Sequence, residues 1–253
     1  AAVSFDKPTV VIVKHLSPCG IASGPELSAA FPPALASDPI SAFGGVIATN
    51  RPFDGKVASL LDDLFVECIA APGFDESART ELRLRKNCRL LHMPEIGSEI
   101  RPELRSIRAG VLLQDRDLGD PAEGAGDWQV ITDRQPSEDE WRSLRFSWTA
   151  CQHVKSNAIV LSQGEATVGI GGGQPNRVDC VRIAGERADK RAKGSVMASD
   201  AFFPFPDAVA LAADLGVTAI IHPGGSVRDH LSVDVANDAD ITMVTTGVRH
   251  FRH

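Results

Sequence analysis

This chain of 253 residues lacks two features, an apolar or signal-like segment and an excess of positive charge, and each absence excludes a class of protein. There is no long apolar run and no signal-like start, because Asp6, Lys7 and Pro8 precede only a short apolar stretch. There is also no excess of positive charge, since the net charge is −7, whereas nucleic-acid surfaces need basic patches that displace counterions. We therefore expect no membrane span and no nucleic-acid partner.

The five cysteines form neither a Cys-x-x-Cys pair nor an even disulfide framework. This usage fits a reducing compartment better than secretion, so we expect a cytoplasmic protein. A zinc-dependent deaminase would need His-x-Glu followed by Pro-Cys-x-x-Cys. Pro18 and Cys19 begin the second motif, but Ala22 stands where the second cysteine is required, and no histidine is followed by x-Glu. The sequence therefore predicts no metal centre of this kind.

The glycine-rich stretches also fail to match two common motifs. The run at 224–226 lacks the later glycine of a serine-hydrolase nucleophile elbow. In the run at 169–173, Gln174 occupies the last glycine position of a dinucleotide-binding fingerprint. We therefore expect neither a serine hydrolase nor a dinucleotide enzyme.

Short β-branched runs alternate with helical patterns, which is typical of a layered α/β protein. The pattern predicts strands over 9–13, 46–49, 66–70, 89–92, 158–161, 167–170, 196–198, 218–221 and 242–245, and helices over 25–36, 76–86, 137–153, 177–190 and 206–215. An acidic stretch with glycine and proline, 115–127, is the best linker candidate. Ser137 and Glu140 form a capping box that opens a second unit. We therefore predict two subdomains, 1–127 and 128–253.

The segment 194–205 has the most unusual composition. Phe202, Phe203 and Phe205 surround Pro204 near Asp200, which predicts a flat apolar platform with a charge at its rim, suited to a planar heteroaromatic ligand. Three further runs supply cations, proton carriers and an amide donor; they cover 13–20, 153–157 and 249–253.

Taken in order, these motifs resemble the formyltransferase domain of the AICAR transformylase/IMP cyclohydrolase family. The matching motifs are Val13-Lys14-His15, Pro18-Cys19-Gly20, and the segments 38–45, 154–160, 169–174, 199–205 and 247–253. Only residues 95–135 lack a recognisable family motif. The resemblance implies two cytidine-deaminase-like α/β/α subdomains without zinc.

The resemblance also implies an activity. A formyl group would move from 10-formyltetrahydrofolate to the 5-amino group of aminoimidazole carboxamide ribotide (AICAR), giving FAICAR in de novo purine (IMP) biosynthesis. It further implies a homodimer with the site at the subunit interface, and a structural potassium ion.

By the same resemblance, Lys14, His15, Asn157 and His253 are the catalytic residues. Lys14 and Asn157 would hold the developing oxyanion, His15 would move a proton, and His253 would orient the carboxamide or assist that transfer. Because adjacent strand residues point to opposite faces, Lys14 and His15 can share a site only if the strand ends or bends there. Pro18 and Gly20 downstream favour such a bend.

The binding residues carried over fall into two sets. The ribotide set is Phe43, Gly44, Glu67, Phe202, Arg249 and Phe251, and the folate set is Ile40, Ile170, Pro204, Phe205, Asp207, Pro223, Gly224 and Gly225. Simpler interpretations remain open at this point. A Lys-His pair can merely end a strand, Asn157 can merely turn the chain, a terminal histidine such as His253 is normally frayed, and each phenylalanine can be ordinary core.

Three departures from the family pattern bear on activity. Ser17 and Pro206 replace the family's usual asparagine and arginine. The given sequence also contains neither the family's cyclohydrolase domain nor the phosphate-binding start of its transformylase domain. We therefore expect no IMP cyclohydrolase activity. The alternative to an enzyme is a non-catalytic folate- or ribotide-binding subunit that needs a partner for its phosphate site.

Overall fold

The β-branched runs of the sequence form strands, and nearly all lie within a residue or two of where the pattern predicts them. The computed structural model describes residues 1–95, 102–120 and 128–253. The first half contains β1 (Thr9–Lys14), β2 (Ser17–Ser23), α1 (Leu27–Ser37), α2 (Pro39–Ala42), β3 (Gly45–Thr49), α3 (Gly55–Ser59), β4 (Val66–Ala71), α4 (Glu76–Leu82), β5 (Arg89–His92), β6 (Glu103–Ile107) and β7 (Gly110–Gln114). The second half contains β8 (Gln129–Val130), α5 (Glu138–Cys151), β9 (Ala158–Gln163), β10 (Ala166–Gly172), α6 (Arg177–Ala188), β11 (Val196–Ser199), α7 (Asp207–Asp214), β12 (Ala219–His222), α8 (Asp229–Asp238) and β13 (Thr242–Thr245).

Eleven of these strands form one mixed sheet, in the order β5-β4-β3-β1-β2-β10-β9-β11-β12-β13-β8. Strands β3 to β5 are parallel to one another, as are β11 to β13, while the strands between these two groups pair antiparallel. The α/β class predicted from the sequence is confirmed. Strands β6 and β7 form a separate two-stranded hairpin.

The two halves repeat one topology. Each begins with an antiparallel hairpin, β1-β2 or β9-β10, continues through a helix, and ends with three parallel strands separated by two helices. The sheet order of the first half, β5-β4-β3-β1-β2, matches β13-β12-β11-β9-β10 of the second. The halves join where Ala166 of β10 pairs with Ala22 of β2.

The central strands are buried on both faces, because helices cover both sides of the sheet. In β1, Val10 and Ile12 pack into one apolar cluster with helices α1, α3 and α4, whereas Val11 packs into another with α5. In β9, Ile159 packs with α6 to α8 and Val160 packs with α5. This two-residue alternation explains why these strands are continuous apolar runs rather than alternating patterns.

Some local predictions were wrong. The first helix begins at Leu27, because Glu26 is extended, and the helix predicted over 76–86 ends at Leu82. The predicted capping box of Ser137 and Glu140 is confirmed at the start of α5. Of the predicted linker, residues 121–127 lie outside the described residues.

Strand β2 was not predicted, because Pro18 and Gly20 are usually strand breakers. Pro18 pairs opposite Val13, next to a register shift in β1. Gly20 is required by packing, since a Cβ there would lie 1.9 Å from the Ala34 carbonyl oxygen of α1. Helix α1 therefore lies closely against this strand.

Among the described residues, none of the helices combines the length and the apolar character needed to cross a membrane. In the same parts of the chain, no cluster of three or more His, Cys, Asp or Glu side chains could hold a metal ion.

Candidate active site

Five strands run in one direction, so their carboxyl ends share one edge of the sheet. These strands are β1, β10, β11, β12 and β13. Strands β11 to β13 pair directly in parallel, whereas β1 and β10 are joined through β2, and β10 and β11 through β9, by two antiparallel pairings each, which restores the direction. We call this edge the carboxyl edge; its strands end at Lys14, Gly172, Ser199, His222 and Thr245. Ligands of open α/β sheets bind at such edges. Most of the predicted site residues follow one of these five strand ends.

Strand β1 ends at Lys14, as a shared role for Lys14 and His15 requires. His15 and Leu16 form the turn to β2, with φ angles of 48° and 68°. Positive φ at both central residues is typical of the tight hairpin turn whose twist matches the strands it joins. The bend here was predicted from Pro18 and Gly20, but this cause was wrong, because both residues lie within β2. The turn leaves His15 exposed at the carboxyl edge.

The Lys14 ammonium is held by the chain that precedes β3. Its Nζ donates hydrogen bonds to the carbonyl oxygens of Phe43, at 2.8 Å, and Gly44, at 2.9 Å. Gly44 has a φ of 64°, and a Cβ there would lie 3.1 Å from Lys14 Nζ, so glycine permits this approach. Phe43 remains 60% exposed against the ring of Phe65. Lys14, Phe43 and Gly44 are therefore brought together.

Lys14 lines a cleft of about 440 Å³ between the two halves of the sheet. Other lining residues are Ser17, Pro18, Cys19, Asp38, Ser41, Val154, Ile170, Gly172, Gln174, Ile183, Glu186 and Arg187. Ile170, predicted for the folate, is thus near Lys14. Burial, together with the charge of Asp38, raises the pKa of Cys19 to about 12, so this thiol is not a nucleophile at neutral pH.

Asn157 lies beside this cleft, and its side chain is fully bonded. The amide nitrogen donates to the carbonyl oxygens of Gln174, at 2.9 Å, and Pro175, at 3.2 Å. The amide oxygen accepts from Arg177 Nη2 at 2.5 Å. The peptide bond between Ser156 and Asn157 is cis. Asn157 is therefore a fixed part of the carboxyl edge.

A buried ion pair lies behind Asn157. Arg177 Nη1 donates to Asp200 Oδ1, and Arg177 and Asp200 are only 8% and 0% exposed. Asp200 also accepts from the backbone N–H of Ala158 at 3.0 Å and from the Ser156 hydroxyl. One carboxylate thus binds the side chain before Asn157, the backbone N–H after it, and the guanidinium that holds its amide.

The predicted aromatic platform is not formed as one surface. Phe203 is fully buried against the ring of His222, and Asp200 is buried rather than at a rim. The Arg249 guanidinium carbon lies over the Phe202 ring, 5.1 Å from the ring centroid. The Arg228 guanidinium carbon likewise lies over the Phe205 ring, 5.6 Å from the ring centroid. The residues separate because the chain after β11 turns one ring into the core and the other two outward.

The glycine loop after β12 is held by hydrogen bonds from its own backbone N–H groups to His222 and Asp229. Gly224 and Gly225 have φ angles of 69° and 96°, and the backbone N–H groups of Gly225 and Ser226 donate to Asp229 Oδ2 at 2.8 and 3.1 Å. His222 Nδ1 accepts from the Gly224 N–H at 3.1 Å, and burial lowers the pKa of His222 to about 4. A cleft of about 490 Å³ lies alongside, lined in part by Pro223, Gly224, Gly225 and Gly247.

The segment after β13 is tied to the carboxyl edge. The Ser156 N–H donates to the Arg252 carbonyl at 2.8 Å, and Arg105 Nη2 donates to the His253 carbonyl at 2.6 Å. His253 and Phe251 are exposed, with ring centroids 6.0 Å apart. The end of the segment is therefore held rather than frayed, and the Arg252 carbonyl places its backbone next to Ser156.

The remaining predicted residues lie around this centre. Glu67, at the start of β4, forms an ion pair with Arg89 at 2.6 Å. Ile40 is 79% exposed on α2. Pro204 and Asp207 are exposed on either side of the start of α7.

Sequence reasoning missed Arg177 and His250, and it misjudged Asp200. His250 is 2% exposed, with one ring nitrogen 2.8 Å from Asp117 and the other 3.1 Å from Asp120. The only local signal was that Asp200 and His250 lie within the unusual runs at 199–205 and 249–253, whereas Arg177 lies in none of these runs. Their partners are distant in sequence, so composition alone did not identify them.

The family model and the curated relatives that match this chain point to the same family. A model described as AICARFT/IMPCHase bienzyme matches residues 1–187. Three proteins named bifunctional purine biosynthesis protein PurH are each 48% identical to this chain. The relative from Anaeromyxobacter sp. (strain Fw109-5) aligns with 100% of this chain and 50% of its own length. Those from Anoxybacillus flavithermus (strain DSM 21510 / WK1) and Limosilactobacillus reuteri (strain DSM 20016) align with 98% of this chain, and with 48% and 49% of their own lengths.

The chain spans about half the length of the curated relatives that it matches. The family model, by contrast, covers more than half of the chain, and the relatives align with nearly all of it. These findings confirm the resemblance seen in the motifs: the chain belongs to the AICARFT/IMPCHase bienzyme family.

Proposed function

We propose that the carboxyl edge is a formyltransferase site that moves a formyl group from 10-formyltetrahydrofolate to AICAR. The observation that carries the proposal is a line of contacts. Lys14 shares a cleft with Gln174, the Gln174 carbonyl accepts from Asn157, and Ser156 next to it binds the segment of His253. Residues far apart in sequence thus meet at the edge where α/β proteins bind ligands.

The reaction makes two demands. The ribotide amine is a weak nucleophile, because its lone pair is delocalised into the carboxamide-bearing ring, so a base must take its proton as it attacks. The attack places negative charge on the formyl oxygen, which preorganised donors stabilise; losing one such donor typically costs about 10²–10³ in rate. The new amine–carbon bond forms, the bond from the formyl carbon to folate N10 breaks, and the proton passes to N10.

The geometry supports distinct roles. Lys14 uses two of its three ammonium hydrogens on carbonyl oxygens, which leaves one for the formyl oxygen. His15 is exposed on a constrained turn, where it can move the proton. Asn157 must release its longer bond, that to Pro175, to donate to the oxyanion. His253 would orient the carboxamide.

The binding residues divide along the edge. Phe43, Gly44, Glu67, Phe202, Arg249 and Phe251 would bind the ribotide; the folate would contact Ile40, Ile170, Pro204, Phe205, Asp207 and the loop 223–225. The Arg249 guanidinium over Phe202 supports this division, because it places a cation and an aromatic face together.

A non-catalytic folate- or ribotide-binding subunit is the second candidate. One observation favours it: both hydrogens and the oxygen of the Asn157 amide are already bonded within the chain. Such a subunit would bind its ligands without any kinetic dependence on Lys14 or His15.

We further propose that the chain forms a homodimer. In the β6–β7 hairpin, Leu104 pairs with Leu113, and Val111 lies two residues from Leu113, so the three share one face. They are 60–72% exposed, although isolated hairpins need an apolar partner surface to be stable. Arg105, on the opposite face of the hairpin, binds the His253 carbonyl, so the hairpin would lie between a second copy on the apolar face and the segment that carries His253. A Leu113→Lys variant should sediment as a monomer, and unchanged sedimentation would argue against this interface.

Three finer points also remain proposals. The repeated topology supports two related subdomains, 1–127 and 128–253, of cytidine-deaminase type. The free state of all five cysteines is compatible with a reducing cytoplasm. By the family resemblance, the chain would also hold a potassium ion with a structural role.

The test mixes the purified chain with AICAR and 10-formyltetrahydrofolate and follows tetrahydrofolate release by absorbance. A Lys14→Ala variant should lose rate while retaining affinity for both ligands, since its ammonium acts on the transition state. If the wild type binds both ligands but shows no turnover, the binding-subunit proposal is favoured.

A further inference from the structure

His250 is the most deeply buried residue of the segment 248–253. Its Nδ1 lies 2.8 Å from Asp117 Oδ2 and its Nε2 lies 3.1 Å from Asp120 Oδ1. Asp120 is itself fixed by the indole N–H groups of Trp148, at 2.9 Å, and Trp128, at 3.1 Å. The Trp148 ring also packs on the imidazole, with centroids 4.9 Å apart. The carboxylates and indoles together form a preformed socket.

The two carboxylates determine the form of His250 that fits this socket. A neutral imidazole has one N–H and one lone pair, so one carboxylate would face a lone pair. Only the protonated ring donates to both carboxylates at once. A charge-assisted hydrogen bond on each side then anchors the segment to residues more than 100 positions earlier in the chain.

The anchored segment carries residues of the proposed site. One residue before His250, Arg249 lies over Phe202; two residues after it, the Arg252 carbonyl accepts from the Ser156 N–H beside Asn157. We infer that His250 is a positioning residue, which holds the segment 248–253 between Asp117 and Asp120 so that Arg249 and His253 lie at the carboxyl edge. This inference rests on the formyltransferase function proposed above.

The surroundings set the direction of its pH dependence. Burial alone would lower the pKa of His250, but the hydrogen bonds and charges of Asp120 and Asp117 outweigh burial and raise it. His153, whose burial lowers its pKa to about 3, stays neutral nearby, and the chain's amino terminus, Arg252 and Arg116 are further cations that act on it. Because the folded pKa is raised, the anchor is complete below the unfolded value of about 6.5 and is lost as the pH rises through the folded value.

Trypsin cleavage after Arg249, an exposed residue, measures release of the segment without needing catalysis. Comparing His250→Gln with the wild-type chain at each pH cancels the protease's own pH dependence. At pH 6.5 the variant should be cleaved at least about tenfold faster, as expected for losing charge-assisted bonds. The ratio should fall toward one as the pH rises. AICAR affinity, measured by calorimetry, should fall in the variant in parallel.

Two further variants serve as a second test and a control. Asp117→Asn, at a more exposed position, removes one carboxylate without opening the core and should also speed cleavage; His230→Gln, at an exposed position on α8, should change neither readout. Equal cleavage of His250→Gln and wild type, or a ratio that does not vary with pH, would overturn the inference. A protected segment in a chain that transfers no formyl group would instead count against the proposed function alone.

Discussion

Replacing Asp200 with asparagine should destabilise this protein severely while barely changing its shape. Asp200 is fully buried and accepts from Arg177, from the Ser156 hydroxyl and from the Ala158 N–H. Asparagine keeps one oxygen but turns an N–H₂ group toward some of these donors, and it removes the negative charge. Arg177, 8% exposed, would then be a buried cation without its anion.

The expected magnitude follows from that unpaired charge. Removing one partner of a buried ion pair costs about 3–5 kcal/mol, because the other charge remains desolvated. This is a large share of the roughly 5–15 kcal/mol that stabilises a typical folded chain. Removing both charges in Asp200→Asn with Arg177→Met should cost less than the two single changes added together, by at least about 1 kcal/mol.

Urea unfolding followed by tryptophan fluorescence measures these free energies. The control is Arg182→Gln, which breaks an exposed ion pair with Asp179 on the same helix and should leave stability unchanged. A loss smaller than about 1 kcal/mol in Asp200→Asn, or strict additivity of the two single changes, would refute the argument that this pair is a closed, buried unit.

Two other changes test the fold. Gly171→Ala places a Cβ 2.0 Å from the Cys180 carbonyl oxygen of α6 and should cost about 1–3 kcal/mol, whereas Gly110→Ala, which meets nothing within 4 Å, should not lower the thermal unfolding midpoint comparably. Burial alone would raise the pKa of Glu140, but hydrogen bonds from Arg134 and the Ser137 backbone hold it at about 2. Stability from Glu140 is therefore present above about pH 4.5 and lost as the pH falls toward 2, so the difference between wild type and Glu140→Gln should be large at pH 7 and small near pH 2, as acid unfolding would show.

Local patterns predicted much of the fold. Strands such as β1 and β12 are short apolar runs bounded by turn residues, and the capping box at Ser137 needs only residues within one helical turn. These features depend on neighbours in sequence, so the sequence suffices to find them. Several family motifs, among them Val13-Lys14-His15 and the segment 199–205, lie at the carboxyl edge, while the roles that they imply stay predictions.

The rest depended on long-range contacts. Arg177 lies 23 residues from Asp200, and His250 lies 130 residues from Asp120, so neither pairing has a local signature. The run around Phe203 predicted a ligand platform because composition does not show which ring enters the core. The β2 strand was missed because the need for Gly20, close contact with α1, exists only once the helix is in place.

The proposed role of His15 is to move a proton during formyl transfer at the carboxyl edge. The most direct measurement follows an isotopically labelled formyl group from 10-formyltetrahydrofolate onto AICAR, in the wild type, His15→Ala and the surface control His230→Ala. We expect equal transfer by the wild type and His230→Ala, and a loss of about 10²-fold or more in His15→Ala, as for removal of a general base. Equal transfer by all three chains would contradict it.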